Sequence, residues 1–246
     1  LMRHLPKKRQ TLFFSATINE DIKEIAYSLV VNPIRIQLSP KDPVAKNIDH
    51  AVAFIEMDDK RFFLESLINK NEGKKILVFV RTKVRAERVK KALERVSILS
   101  DTIHSDKLQE EREITMDKFR EGTLRILIAT DVSARGIDIP GVEVVVNYDL
   151  PDTAENYVHR VGRTGRGDQK GSAISFCSLE EREVLEQVEK NLGKDIARME
   201  ISGNDYDYTI ESTQEKKETW QDVMKEIEES KLKRRKKKVK KAKGKK

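Results

Sequence analysis

From His50 to about Met199, short runs of β-branched and aliphatic residues alternate with longer stretches of helical period, and this constrains the fold more than any other feature. The runs are Val52–Glu56, Ile76–Val80, Thr102–His104, Arg125–Ala129, Glu143–Val146 and Ser172–Phe176. Between them the period predicts helices over Lys60–Asn69, Val84–Arg95, Gln109–Arg120, Ala154–Val161 and Glu180–Leu192. A strand, a helix and a second strand in succession join through a right-handed crossover, which makes the strands parallel. Runs such as Ile-Leu-Val-Phe-Val at Ile76–Val80 have no polar face, so they suit strands covered on both sides. The expected fold is α/β: a parallel sheet with helices on both faces, over residues 50–200.

The flanking regions break this pattern. Residues 1–38 read as a strand at Gln10–Phe14, a helix starting near Asn19 and a strand at Ile34–Leu38 after Pro33. Three elements cannot bury their own faces, so the segment reads as the last piece of a preceding domain, with which Leu1 in place of an initiator Met agrees. Residues 39–49, with Pro40 and Pro43, read as an exposed linker. Residues 201–246 lack a core pattern beyond an amphipathic segment near Trp220–Ile227 and read as an extension ending in disorder.

Charge has to be apportioned before it is interpreted. The chain carries +7, but Lys231–Lys246 holds 12 Lys or Arg and no acid, which leaves residues 1–230 at −5. The basic character belongs to the tail, so a nucleic-acid site in the body must be local. Cys177 is the only cysteine and sits in an apolar run, which excludes an intrachain disulfide and a cysteine-cluster metal site. A buried core thiol is expected. No stretch approaches the length of apolar sequence that spans a bilayer, and the charged amino terminus does not read as a signal peptide. The chain therefore reads as cytoplasmic, with no membrane partner.

In open parallel sheets, ligands gather beyond the carboxyl ends of the strands. There Ile76–Val80 is followed by Arg81, Thr82 and Lys83, Thr102–His104 by Ser105 and Asp106, and Arg125–Ala129 by Thr130 and Asp131. Polar loops of no further purpose would look the same. In Thr130–Asp138, Gly136 permits a tight turn or close approach to a ligand, and Asp138 can accept hydrogen bonds from ribose hydroxyls; a capped loop with one surface arginine is the alternative. In His159–Arg166, helical counting sets His159 four residues and Arg160 three residues before Arg163, on one face. Arg166 follows Gly165, a plausible helix end. With almost no acid nearby, these guanidinium groups lack a local partner and match phosphate oxygens. A solvated basic face is the other reading.

Five segments, in order and spacing, resemble the later motifs of DEAD-box RNA helicases. They are Ser-Ala-Thr at Ser15–Thr17, Leu77–Lys83, Gln109 with Arg112, Ala-Thr-Asp-Val-Ser-Ala-Arg-Gly-Ile-Asp at Ala129–Asp138, and His-Arg-Val-Gly-Arg-Thr-Gly-Arg at His159–Arg166. The match runs from about Leu5 to Phe176 and, in its short linker and basic tail, is similar to RhlE-type members. The resemblance implies two RecA-like domains closing around ATP and single-stranded RNA. Residues 1–38 would end the first domain and residues 50–200 would form the second.

By the same resemblance Arg163 and Arg166 are arginine fingers for the γ-phosphate, and Gly136 and Asp138 serve the nucleotide. His159 and Arg160 tie the segment to the other domain. Arg81, Gln109, Arg112, Thr130 and the backbone around His104, Ser105 and Asp106 contact RNA phosphates and sugars, with little base preference. Ser15 and Thr17 couple hydrolysis to strand separation. Ser105 stands where many members have Gly, which puts close RNA approach there in doubt. No Gly-x-x-x-x-Gly-Lys-Ser/Thr loop and no Asp-Glu-Ala-Asp box occurs in the sequence. ATP would therefore be cradled, and its Mg²⁺ held, by an N-terminal RecA-like domain not in this chain, and the chain alone would be inactive. A non-catalytic RNA-binding scaffold is the competing reading, against which Arg163, Arg166 and Asp138 argue. A related DNA helicase is a third, against which Ser15–Thr17 and the Gln109–Arg112 spacing argue.

Overall fold

The computed structural model describes residues 6, 8–14, 20–30, 32–36, 44–131, 139, 141–167 and 169–213. It divides into two units, Leu1–Pro43 and Val44–Lys246.

In the first unit the expected helix forms as α1, Glu20–Leu29. The two expected strands do not: residues 10–14 and 34–36 are irregular, and Leu38 lies outside the described residues. A strand needs a neighbour to satisfy its backbone N–H and C=O groups, and among the described residues neither run joins a sheet. Their side chains, with those of α1, stay in water: Leu12, Phe13, Phe14, Ile25, Tyr27, Ile34 and Ile36 are all exposed, Phe14 at 87% and Ile34 at 89%.

The second unit is the parallel sheet that the alternation predicts. Its strands are β1 (Ile48–Phe54), β2 (Ile76–Phe79), β3 (Ser100–Ile103), β4 (Ile126–Ala129), β5 (Val144–Asn147), β6 (Gly171–Cys177) and β7 (Ala197–Arg198), in the order β3-β4-β2-β5-β6-β1-β7. Each neighbouring pair is parallel. The helices are α2 (Lys60–Lys70), α3 (Lys83–Arg95), α4 (Gln109–Glu121), α5 (Ala154–Val161) and α6 (Arg182–Leu192), the last preceded by a 3-10 turn at Leu179–Glu181.

Successive side chains of a strand point to opposite faces, so each apolar run feeds two cores. Leu77, Phe79, Leu127 and Val145 pack with Met116 and Phe119 of α4, Tyr157 and Val161 of α5, and Leu185 and Val188 of α6. Ile76, Val78, Ile126, Ile128 and Val146 pack with Phe63, Leu64 and Leu67 of α2 and Ala86, Val89 and Leu93 of α3. The thiol of Cys177 is buried in the first core, and burial pushes it up to about 11.

Three departures from expectation matter. Residues 44–49, read as exposed linker, include Val44 and Ile48 of the core, because β1 starts four residues earlier than the sequence suggests. Residues 203–213 are helical and close the second core through Tyr206 and Ile210. The Tyr206 ring lies 4.7 Å from that of Phe63, and its hydroxyl donates to Asp59 at 2.9 Å. Finally, Pro151, Asp152 and Glu155 have a capping-box-like spacing in the sequence, but α5 is capped by Thr153, which accepts from Asn156 N at 3.1 Å. Residues 214–246, including the tail, lie outside the described residues.

Candidate functional site

The carboxyl edges of β3, β4 and β2 are adjacent, so the polar residues that follow these strands form one rim. After β2, Thr82 caps α3 by accepting from Arg85 N at 3.1 Å. Arg81 is held from both ends: its backbone N donates to Asp149 Oδ2 at 2.9 Å and its Nη2 to the Leu150 carbonyl at 3.4 Å, leaving the side chain about half exposed. After β3 the chain turns at once, with Lys107 N on the His104 carbonyl at 3.1 Å, and Lys83 Nζ reaches Asp106 at 2.8 Å. Thr130, after β4, is buried and donates its N–H to the Ile103 carbonyl at 3.3 Å.

His104 does not offer its ring to a ligand on this rim. The ring is buried, with Nε2 at 2.9 Å from Glu87 Oε1, and the same oxygen accepts from Thr102 Oγ1 at 2.6 Å. Burial alone would raise the Glu87 carboxyl; the hydrogen bonds from Thr102 and His104 and the nearby Lys107 charge outweigh it and hold the group below its usual range. What the turn exposes is Ser105 and Asp106. On α4, Arg112 Nη1 donates to Gln109 Oε1 at 3.3 Å and Gln109 donates to Glu113 at 2.9 Å, so the Gln-x-x-Arg pair forms a connected polar ridge.

Arg160, which has no acid close to it in sequence, finds one remote in sequence. It is 2% exposed and forks onto Asp131, Nε to Oδ1 at 2.6 Å and Nη2 to Oδ2 at 2.7 Å. Its Nη1 donates to the Asp149 carbonyl at 2.7 Å and to Asn147 Oδ1 at 3.3 Å, and the group lies 5.1 Å from the centre of the Phe79 ring. One buried arginine thus ties together the carboxyl ends of β2, β4 and β5. The cause is helical geometry: Tyr157, Arg160 and Val161 form the buried face of α5, and the anion they turn towards comes from 29 residues away in sequence. His159, one residue off that face, is partly exposed.

The expected common face of His159, Arg160 and Arg163 also fails. The helix ends at Val161, Gly162 N bonds to the Val158 carbonyl at 2.8 Å, and Arg163 N turns back to the Arg160 carbonyl at 3.1 Å. Beyond this point Thr164 fixes the path. It is 1% exposed, and its hydroxyl lies 2.8 and 2.9 Å from the carbonyl oxygens of Val142 and Glu143, at the amino end of β5. Gly165 has φ +64°, and a Cβ there would collide with Ile48; a Cβ on Gly171 would collide with Gly165 N and Thr164. The Asn47 amide contacts the carbonyls of Gly165, Gly167 and Gln169 at 2.6, 3.2 and 2.8 Å. The loop that carries the partly exposed Arg163 and the exposed Arg166 is therefore stapled to the amino ends of β1, β5 and β6.

Two clusters result instead of the single carboxyl-edge site that sequence reasoning favours. Arg81, Ser105, Gln109, Arg112 and Thr130 belong to the rim, whereas Arg163 and Arg166 lie at the opposite edge of the sheet. Arg160, near the end of the helix between them, has its side chain in the rim. Ser15, Thr17, Gly136 and Asp138 lie outside the described residues. Asn47, Asn147, Asp149 and Thr164 carry the geometry without standing out in the sequence, and Asp131, legible there only as a polar residue after its strand, holds Arg160.

Residues 59–168 match the family described as "Helicase conserved C-terminal domain". The chain is 38% identical over 200 residues to the ATP-dependent RNA helicase DbpA of Bacillus subtilis (strain 168), covering 81% of this chain and 42% of that protein. Among solved structures, S. cerevisiae Dbp5 bound to RNA and ADP BeF3 matches with a TM-score of 0.73 and 33% identity, over 87% of this chain and 57% of that one. E. coli SrmB, a DEAD-box protein bound to regulator of ribonuclease activity A, matches with a TM-score of 0.60 and 31% identity, over 64% of this chain and 92% of that one. The chain spans less than half the length of DbpA. Together with the RecA-like sheet and the ordered motifs around it, these likenesses show that the chain belongs to the DEAD-box ATP-dependent RNA helicases, as a C-terminal part.

Proposed function

We propose that this chain supplies one wall of an ATP site and part of an RNA-binding surface in an RNA-stimulated ATPase that opens short duplexes. Arg163 and Arg166 meet the γ-phosphate; the rim of Arg81, Ser105, Gln109, Arg112 and Thr130 meets the RNA backbone. The observation that carries this reading is the stapled loop over residues 163–167. Arginine contributes to phosphoryl transfer by being in place where charge develops, and a loop pinned by Thr164, Asn47 and Ile48 keeps its backbone in one position.

The residues present suit a nucleotide's terminal phosphate, with two guanidinium groups three residues apart on a fixed loop. ATP with Mg²⁺, when bound, supplies the phosphoryl group and the leaving group. Its cradle and its metal ligands are assigned to an N-terminal RecA-like domain. Residues 1–38 are assigned to the end of that domain, which accounts for seven large apolar side chains left in water. Ser15 and Thr17 would couple the two activities from there, and Gly136 and Asp138 would face the nucleotide. A cytoplasmic location goes with this reading.

The test uses two proteins. The purified 246-residue chain is expected to show no RNA-stimulated ATP hydrolysis, and robust turnover from it would overturn the assignment. In the full-length enzyme, Arg163→Lys and Arg166→Lys should each lower kcat for ATP by about 10³-fold or more while RNA is still bound. Unchanged kcat would remove the arginines from the site.

A further inference from the structure

Beside β3 and β4, at the amino edge of the sheet, the ends of α2, α3 and α4 enclose a cavity of about 490 Å³. It lies across β2 from the Thr164 anchor and at the opposite edge from the RNA rim. Its size is that of a small-ligand or side-chain pocket. Ile68, Val96, Ile98, Leu99 and Ile126 form the apolar wall, and Leu99 on the rim is 71% exposed.

Arg125 gives this cavity a charge. Among the described residues its guanidinium has neither a hydrogen bond nor an ion pair, and its Nη1 is shut off from solvent. An arginine near helix ends commonly caps their last carbonyls. Here several of those carbonyls are already taken: Asn71 N bonds to Leu67 and Ile68, Ile98 N to Leu93, and both Leu124 N and Thr123 Oγ1 to Lys118. Arg125 is thus a partly buried cation with one donor, Nη1, left unpaired among the described residues. It faces a cavity otherwise suited to aliphatic groups.

We propose that this cavity is a docking site for a segment of a partner protein that presents an aliphatic side chain next to a carboxylate. The aliphatic group fills the space against Ile98, Leu99 and Ile126, and the carboxylate accepts from Arg125. Glu72 on the lining disfavours a polyphosphate chain, so a single carboxylate on an apolar segment fits better than RNA. The site is independent of the ATP and RNA assignments and stands or falls separately from them.

The isotope-labelled 246-residue chain tests it by NMR titration with an acetylated, amidated hexapeptide of alternating Leu and Glu. Counterparts with Leu–Lys and Ser–Glu, and oligo(U), serve as comparisons. The Leu–Glu peptide should shift the methyl signals of Ile98, Leu99 and Ile126 and bind about tenfold more tightly than either peptide counterpart. Arg125→Gln should lower its affinity about tenfold, the loss of one charge-assisted hydrogen bond. Should that variant fail to fold, Leu99→Ser on the exposed rim replaces it, with loss of binding expected. The proposal is overturned by equal binding of the Leu–Lys peptide, by unchanged affinity in the variant that is folded, by no shift at millimolar peptide, or by shifts at these residues with oligo(U) alone.

Discussion

Arg160 and Asp131 form a two-pronged ion pair, 2.6 and 2.7 Å, inside the carboxyl rim of the sheet, 29 residues apart in sequence. Asp131 directly follows Thr130 of the rim, and Arg160 precedes Arg163 by three residues, so the pair joins the rim to the helix that leads into the arginine loop.

Removing one partner should therefore cost more than an exposed ion pair would. Arg160→Ala leaves Asp131, Asn147 and the Asp149 carbonyl without their donor in a buried position, with an expected loss of about 3–5 kcal/mol. Urea unfolding of the 246-residue chain measures it. A loss below about 1 kcal/mol, the range of surface pairs, would contradict the assigned role.

Thr164→Val keeps the shape and removes the hydroxyl that meets the Val142 and Glu143 carbonyls. Stability should drop by about 1–3 kcal/mol, the cost of leaving buried acceptors unsatisfied. In the full-length enzyme kcat for ATP should fall while RNA affinity holds, because the loop belongs to the amino edge and not to the rim. Parallel losses in both quantities would show that the two clusters are not separable.

Acid should loosen the domain through Glu181. Burial would raise its carboxyl, but the Lys60 ammonium, itself fully buried, and the N–H groups of Ser178 and Leu150 more than offset this and hold it below its usual value of 4.5. A carboxyl lowered in the folded state stabilises above its unfolded value, and that stability is lost as pH falls through the folded one. Thermal unfolding should thus shift to lower temperature as pH drops below about 4.5. Glu181→Gln should flatten this acid limb and, by stranding Lys60, cost about 3–5 kcal/mol at neutral pH. An unaltered acid limb in the variant would assign it to other carboxylates.

The tail makes a prediction from composition alone. Deleting Lys231–Lys246, with its 12 positive charges, from the full-length enzyme should weaken RNA binding and reduce the slope of log affinity against log salt. An identical slope with and without the tail would exclude it from RNA contact.

Much of the sheet was legible because its strands are short, apolar on both faces and separated by helices of clear period. Ala154–Val161 forms over the expected residues. The partner of Arg160 is not legible in the sequence because Asp131 lies 29 residues away, and nothing local marks the two as neighbours. The helix at 203–213 was missed since Tyr206 and Ile210 bury a single narrow seam and the rest of it is polar. The runs at Gln10–Phe14 and Ile34–Leu38 show the opposite error: a β-like pattern states a capacity to pair, and pairing needs a neighbour.

Asn47 stands one residue before β1 and grips three carbonyls of the arginine loop. The chain's point of entry into the sheet and the loop that leads into β6 are consequently one mechanical object. A tug on residues 44–46 is felt at Gly165 through a single amide, without first deforming a strand.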